Sequence, residues 1–410
     1  MEIKIAFFLL SSLVFSVLAE PVVLKGGDLP RALGKPVSEL RVLGLGGNAI
    51  PFQVDEVTQA GEYVLPMGER PNAAEGDGKL GERDEIVFLF EDADVFSGGR
   101  PDSNLAGGDV VVLSRGAQRR AAVVIADKSL PLSPKRYIQY DHAAQRIATP
   151  FYYAEFAKNR FHFVKAGVAD FKTGGYIDLT NELRVAIHLR TLFGLVPVNY
   201  TEDNIVCFAR RYKAGPVRLI RRGDFHLNLG LGVKGSKAAV NQICYPQAVK
   251  VPVYVNLPVR FRALFSQAYI EMTPVVRGDG KHFNLTIPSE KLVFSLQGGK
   301  TDSLHGAAPA GKLFALRHGN MGYGWLLNTT MPKAHLGGSG FVMRRPPSPG
   351  RKGIAECGFR LTVRDVPKGS YDITNWVLFS GGAEGDIERL GESISKPLKV
   401  EILNGRIRQK

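Results

Sequence analysis

In the stretch "ELRVAIHLR", Arg184, His188 and Arg190 recur on the side opposite Leu183, Val185, Ile187 and Leu189. Two further alternating stretches carry the same kind of face. "DFHLNLGL" contributes His226, and "VPVYVNLPVRFRALF" contributes Tyr254, Arg260 and Arg262, with Tyr269 and Glu271 just beyond. Guanidinium forks on a rigid strand match carboxylates or sulfates bidentately, and tyrosine rings stack on sugars. Arg184, Arg190, Arg260, Arg262, Tyr269 and Glu271 are therefore the expected ligand surface for an anionic polysaccharide, provided that their strands are neighbours in one sheet. A lyase built on the same face needs a base to take the proton α to a uronate carboxylate and a cation to hold the developing charge. His188 or His226 as base, Tyr254 as acid and Arg190 as neutraliser have the right chemistry. A retaining hydrolase needs two carboxylates ~5 Å apart, and no pair among Asp170, Asp178, Glu182 and Glu271 stands out. An ordinary solvated face of a basic protein fits the same residues.

A second concentration of chemistry is "EGDGKLGERDEIVFLFEDAD", 75 to 94. An EF-hand loop takes oxygen ligands at positions 1, 3 and 5, glycine at 6 and a bidentate acid at 12. With Gly78 at the glycine position, Asp77, Glu75 and Asp84 fall on ligand positions, but Ala73 occupies the first and has no side-chain oxygen. A calcium site of another kind would use Glu75, Asp77, Asp84 and Glu85. The competing reading is a tight turn in which Gly76 and Gly78 supply positive φ, Asp84 and Glu85 open a strand, and Gln53 and Asp55 hydrogen-bond across to the turn. No other cofactor is required.

Other motifs are weaker. Cys207, Cys244 and Cys357 form neither CxxC nor CxxCH. A Cys207–Cys244 bridge and three buried thiols are both open. "GNMGYGW" brings Tyr323 and Trp325 close to His318, either as a sugar platform or as core. "LGLGGNAI" lacks GxGxxG, so a dinucleotide site is excluded, and GxSxG and HExxH are absent.

The elements that must hold these residues are strands. Period-2 alternation dominates, with one side of each strand buried and the other wet. "DVVVLSR" and "RAAVVIAD" flank "GAQRR", a hairpin connection. The best helical pattern is "HAAQRIATPFYYAEFAKNR", interrupted by Pro150. The expected fold is mostly β. An antiparallel β-sandwich domain spans 20–130, a Pro/Lys-rich boundary lies near 130–136, and a larger β-supersandwich-like domain spans 137–400. A basic tail, 401–410, follows. "RRPPSPGRKG", 344 to 353, reads as an exposed basic connection.

Three short motifs recur in order: "IPFQVDEV", "DGKLGERDEIVFLFED" and "KAGPVRLIRRGD". On Pro51, Gln53, Val54 and Asp55, then Asp77, Gly78, Asp84, Glu85 and Phe88, then Gly215, Pro216, Val217 and Arg218, the chain resembles secreted bacterial β-rich proteins, among them glycan-utilisation proteins with a β-supersandwich core. The resemblance covers about a tenth of the chain. It implies an exported β architecture and a link to carbohydrate, and it carries no catalytic mechanism over.

The 410 residues suit two domains. "MEIKIAFFLLSSLVFSVLAE" has the charge, apolar run and small residues of a secretory leader, 1–19, cleaved near Ala19. That places the chain outside the cell or in the periplasm, with no membrane-spanning segment after cleavage. The formal net charge of +14 suits an anionic partner in the envelope, and nucleic acid is disfavoured for an exported chain without a recognition motif. Two functions follow as expectations. The chain binds or processes an anionic glycan, or it is a non-catalytic envelope scaffold or assembly protein contacting surface polymer, lipid head groups or another protein.

Overall fold

The computed structural model describes residues 19–98, 101–157, 162–191, 196–201, 205–228, 234–257, 259–261, 265–276, 283–287, 292–296, 303–307, 311, 313–319, 321–336, 340–344, 355–381, 386–396 and 398–403. Residues 1–18 of the expected leader, Arg262 and most of the basic connection and tail lie outside them.

Alternating sequence becomes four antiparallel layers, because each strand has one apolar side and that side needs a partner. The first layer is a five-stranded sheet that includes Leu40–Leu43, Asp109–Arg115 and Gln118–Ala126. The "GAQRR" hairpin forms as expected, with Gly116 at φ 55° in its turn. The second layer is a three-stranded sheet, Pro21–Lys25 and Phe52–Asp55 on either side of Glu85–Leu89. Leu24, Val54, Ile86 and Phe88 of that sheet pack on Val42, Val111, Leu113 and Val124 of the first.

The third and fourth layers are two ten-stranded sheets packed face to face. From one come Leu219, Cys244, Val249, Phe314, Trp325 and Phe379; from the other come Tyr152, Val168, Leu183, Phe341, Phe359 and Leu361. Each such side chain contributes on the order of 1.5–3 kcal/mol by leaving water. We call the sheet containing Leu219–Asn228 and Ala248–Leu257 the inner one. Its other face meets the three-stranded sheet through Val217, Ile220, Tyr245, Val87 and Leu89, and holds the Asp386–Ser395 helix by Ile387 and Leu390. The remaining ten-stranded sheet is the outer one. The mostly-β, layered fold is thus as expected. No helix among the described residues is long and apolar enough to cross a membrane.

Several local expectations are corrected, and two open alternatives are decided. Residues 146–148 and 152–156 are strands rather than a helix. Tyr152 and Ala154 alternate into the core, and that burial outweighs the helical spacing. The run from Val251 to Phe265 is not one strand. Ala248–Leu257 ends before Pro258, which has no N–H for a ladder, and a new strand, Phe265–Val276, begins in the other sheet. The three cysteines are free and buried. Cys207 pairs in register with Phe225 and Cys244 with Leu219, at opposite ends of the strand between them. Six residues of strand separate the two levels by roughly 20 Å, against the ~4.4–6.8 Å a disulfide allows. Tyr323 and Trp325 are 3% and 2% exposed, so they are core rather than a platform. The final strand, Lys399–Leu403, returns to pair with Asp109–Arg115 in the first layer.

The three ordered motifs converge where the three-stranded sheet meets the inner sheet. Arg218, 1% exposed, donates from Nε to Asp55 at 2.8 Å, from Nη2 to Glu85 at 2.7 Å and from Nη1 to the Tyr245 hydroxyl at 3.1 Å. Gln53 donates to Asp55 at 2.7 Å and accepts from the Arg218 backbone N–H at 2.8 Å. Gly215 is needed there, because a Cβ would sit 2.1 Å from Gln53 Oε1. Lys213 adds a second cation 3.2 Å from Asp55. Burial pushes the Asp55 carboxyl up, but Arg218 and Lys213 pull it down further, and it ends below the ordinary carboxylate value. The motif residues Gln53, Asp55, Glu85 and Arg218 thus form an internal clamp between layers.

Candidate ligand cleft

On the outer sheet, five strands lie side by side: Val196–Thr201 and Phe265–Val276 flank the long Gly175–Thr191 strand, and Ala355–Val363 then Gly340–Arg344 follow. Register sets who meets whom. His188 lies opposite Asn199 on one side and Tyr269 on the other, while Glu271 lies between Ala186 and Arg360. Period 2 then places Arg184, His188 and Arg190, with Tyr269, Glu271, Glu356 and Arg360, on the face turned away from the core.

Charge on this face is compensated from within. Glu271, 2% exposed, accepts from Arg360 Nε at 2.6 Å and faces Arg344 Nη1 at 2.9 Å. Glu356, fully buried, takes Arg344 Nε at 2.8 Å and Arg184 Nη1 at 2.7 Å. Burial pushes the Glu271 carboxyl up, yet Arg360 and Arg344 outweigh it and hold it below the ordinary value. Gly358 sits within this ladder because a Cβ would fall 1.9 Å from the Met272 carbonyl.

Beyond the ladder the face opens into a cleft of about 390 Å³ lined by His188, Leu189, Arg190, Pro197, Asn199 and Tyr269. The His188 and Tyr269 rings stack with centroids 4.3 Å apart and planes at 25°. His188 Nδ1 lies 2.6 Å from Asn199 Oδ1. The Arg360 guanidinium covers Tyr269 at 4.7 Å. An aromatic wall, an amide and a guanidinium can hold a planar or ring-shaped polar ligand. Among the described residues no carboxylate lines this cleft, and the neighbouring Glu271 is held by two arginines.

The outer sheet thus brings together Arg184, His188, Arg190, Tyr269 and Glu271, but not the whole expected set. Tyr254 is on the inner sheet and 67% exposed. The His226 backbone is also on the inner sheet, and its side chain lies outside the described residues, as does Arg262. Arg260 follows the end of Ala248–Leu257 and forms a bidentate pair with Asp365 at 2.7 and 2.6 Å. His188, Tyr254 and Arg190 therefore do not make a single catalytic group. Arg344, Glu356 and Arg360 were missed, although "AECGFRLTV" alternates Glu356, Gly358, Arg360 and Thr362. Asn199, in "VPVNYT", carries no local signal of a cleft; only its register opposite His188 reveals it.

Among the acidic-loop residues, each candidate calcium ligand has a separate structural task. Asn72 donates to Glu75 at 3.2 Å, and the Lys79 N–H donates to Asp77 at 2.9 Å. Asp84 accepts the Val57 and Gly81 N–H groups, both at 2.7 Å. Glu85 belongs to the Arg218 clamp and accepts the Tyr63 hydroxyl at 2.9 Å. Among the described residues no group of three or more His, Cys, Asp or Glu side chains is placed to hold a metal ion. Gly78 has the positive φ expected of the turn, 72°, whereas Gly76 is extended at φ −83°.

A second void, about 190 Å³, lies between the two large sheets and is lined mainly by Phe163, Leu183, Val185, Val251, Trp325 and Val377. Its walls are apolar, and it is part of the core.

No family model matches the chain, and no curated protein matches it in sequence. Solved structures do share its fold. The chain is similar to an alpha-mannosidase from Enterococcus faecalis V583, with a TM-score of 0.50 and 9% identity over 94% of this chain and 44% of that one. A protein of glycosyl hydrolase family 38 from Enterococcus faecalis gives a TM-score of 0.49 and 9% identity over 95% and 46%. The chain therefore spans less than half the length of these proteins. At such identity the likeness is one of fold: layered antiparallel sheets of the kind found in that mannosidase.

Proposed function

We propose that the chain is an exported carbohydrate-binding protein that holds an acidic sugar in the His188–Tyr269 cleft. The observation that carries this reading is the cleft itself. A stacked His188–Tyr269 wall offers ring faces, Asn199 offers an amide and Arg190 a guanidinium to a carboxylate or sulfate substituent. The net charge of +14 favours approach of an anionic polymer. The fold shared with an alpha-mannosidase supports a setting in glycan chemistry. The role we propose is binding, because the described lining is an aromatic wall, an amide and a guanidinium.

Binding to a uronate oligosaccharide, with its neutral counterpart as control, is the test. Tyr269→Ala should weaken it about 3- to 10-fold, the range for one aromatic contact. Arg190→Ala should weaken the acidic ligand and leave the neutral one unchanged. Equal affinity of wild type for both sugars, or no binding to either, would remove the reading.

One observation favours the second reading, an envelope assembly protein without a sugar site. Arg184, Arg260, Arg344 and Arg360 all pair with carboxylates of their own chain. If that reading holds, wild type binds anionic polymer with an affinity that falls steeply with salt and is indifferent to Tyr269→Ala.

A further inference from the structure

We propose that hydrolysis of the Ala19–Glu20 bond creates a structural cation, the α-ammonium of Glu20, which seats on the Glu91 carboxylate and completes the packing of the amino terminus between the first three layers. The proposal rests on the export reading for its protease, and on the geometry around Glu20 for everything else.

Glu20 is held at every polar atom. Its backbone N–H donates to Glu91 Oε2 at 3.0 Å. Its carbonyl accepts the Phe90 N–H at 2.9 Å. Its side chain, 5% exposed for the whole residue, forms an ion pair with Arg115. Pro21 then enters the three-stranded sheet opposite Leu89. Such a set of contacts fixes a residue, and it fixes the nitrogen against a carboxylate.

The charges around Glu91 make that contact informative. Arg115 is engaged by Glu20, and Asp92 takes the Tyr137 hydroxyl and Lys135. Arg120 gives hydrogen bonds to the backbone carbonyls of Glu91 and Ala93 rather than to the Glu91 carboxylate. Burial pushes the Glu91 carboxyl up to about 8, because it outweighs the downward pull of a backbone N–H and of the Arg120 charge. An ammonium at the Glu20 nitrogen would place a full positive charge directly on that carboxylate. In the hydrolysis, water's hydroxyl goes to the Ala19 carbonyl, which leaves as a carboxylate on the leader. The Glu20 nitrogen takes a proton to become the free amine, and protonates again to the ammonium. An export-associated endopeptidase supplies the catalysis.

Ala19 is the competing start. It is 2% exposed, and its N–H donates to Gln247 Oε1 at 2.9 Å. An ammonium there would face a neutral amide oxygen, and a buried cation without a carboxylate is costly. Cleavage one residue later places the cation on an acid.

Two arms test this. First, the full chain with its own leader is exported from a bacterial host and the product's intact mass is read; a start at Glu20 is expected. Second, protein starting at Glu20 is made by fusion cleavage, and compared with the same chain acetylated at its terminus. An α-amine ordinarily titrates near ~7.7–8.0, and pairing should raise it by about one unit, which is about tenfold in the folding equilibrium. Acetylation should therefore lower stability by about tenfold. Glu91→Gln should do the same in the free-amine form and little in the acetylated form. A product starting at Ala19 overturns the cleavage site. An equal cost of Glu91→Gln in both forms overturns the pairing. If Glu91→Gln does not fold, an α-amine titrating at or below its ordinary range overturns it. Failure of export sinks the export reading alone, since the fusion-derived protein still decides the pairing.

Discussion

Replacing Arg218 with Met should loosen the join between the three-stranded sheet and the inner sheet. The change keeps apolar volume and removes three donors, those to Asp55, Glu85 and Tyr245. Removing one partner from a buried ion pair costs about 3–5 kcal/mol, because the other charge is left in a poor solvent. Lys213 remains 3.2 Å from Asp55, so the lower end, about 3 kcal/mol, is expected. For a chain of 410 residues, with an unfolding entropy of about 2.1 cal/mol/K per residue, that is a drop of roughly 3–4 °C in Tm. Thermal unfolding followed by circular dichroism, with limited proteolysis to see whether the first two layers detach, measures it.

The pH dependence tests the cause. In the wild type the Asp55 carboxyl is below its ordinary value. Its contribution is therefore fully present above the unfolded value, near ~3.9, and is lost as pH falls through the lower folded value. Without Arg218, burial is opposed only by Lys213 and Gln53, and the carboxyl moves up. Protonation on acidification then relieves the variant, while the wild-type contribution of Asp55 persists down to about pH 4. The difference between the two should shrink from pH 7 to pH 4. Asp55→Asn in the Arg218→Met background should cost much less than Asp55→Asn alone. A Tm within about 1 °C of wild type, or a pH-independent difference, would refute the view that these motifs form an electrostatic clamp.

Other expectations follow from the same geometry. Gly215→Ala should destabilise by more than about 1 kcal/mol in urea titration, because its Cβ would meet Gln53 at 2.1 Å; a neutral result would mean that Gln53 is free to move. Glu271→Gln should lower stability at pH 7 with a loss that fades as pH falls below the ordinary glutamate value, since the folded carboxyl sits under it; thermal melts at pH 7 and at about pH 3 distinguish this from a pH-independent packing loss. Burial pushes the Cys207 and Cys244 thiols up to about 12, so a thiol reagent at pH 8 should leave the native protein unlabelled and modify it after unfolding. Chelator should leave Tm unchanged, because Glu75, Asp77, Asp84 and Glu85 serve four separate contacts; a drop abolished by Asp84→Ala would restore a calcium site.

What was legible in the sequence followed from local physics. Alternation in "ELRVAIHLR" placed Leu183 and Val185 toward the core and Arg184 and His188 away from it, and the short hairpin at Gly116 needed only its own residues. What was not legible depended on partners far along the chain. Arg184 is neutralised by Glu356, 172 positions along the chain and two strands over, and Glu271 by Arg360, 89 positions along and on the neighbouring strand. A strand states which way its side chains point, and says nothing about which strand lies beside it. For that reason Tyr254 and Arg260 were grouped with His188, although Ala248–Leu257 and Phe265–Val276 lie in different sheets. The Asp386–Ser395 helix was passed over because its apolar set, Ile387, Leu390 and Ile394, is only three residues long. The ordered motifs show the same limit. Their order and spacing were visible, but the reason for them, that Gln53, Asp55, Glu85 and Arg218 close on one another across two layers, required the third dimension. On the proposed reading, an acidic sugar meets a face where Arg184, Arg344 and Arg360 are already engaged by Glu356 and Glu271. Recognition then comes from the stacked His188–Tyr269 wall together with Arg190, so selectivity should depend on ring shape as well as on charge.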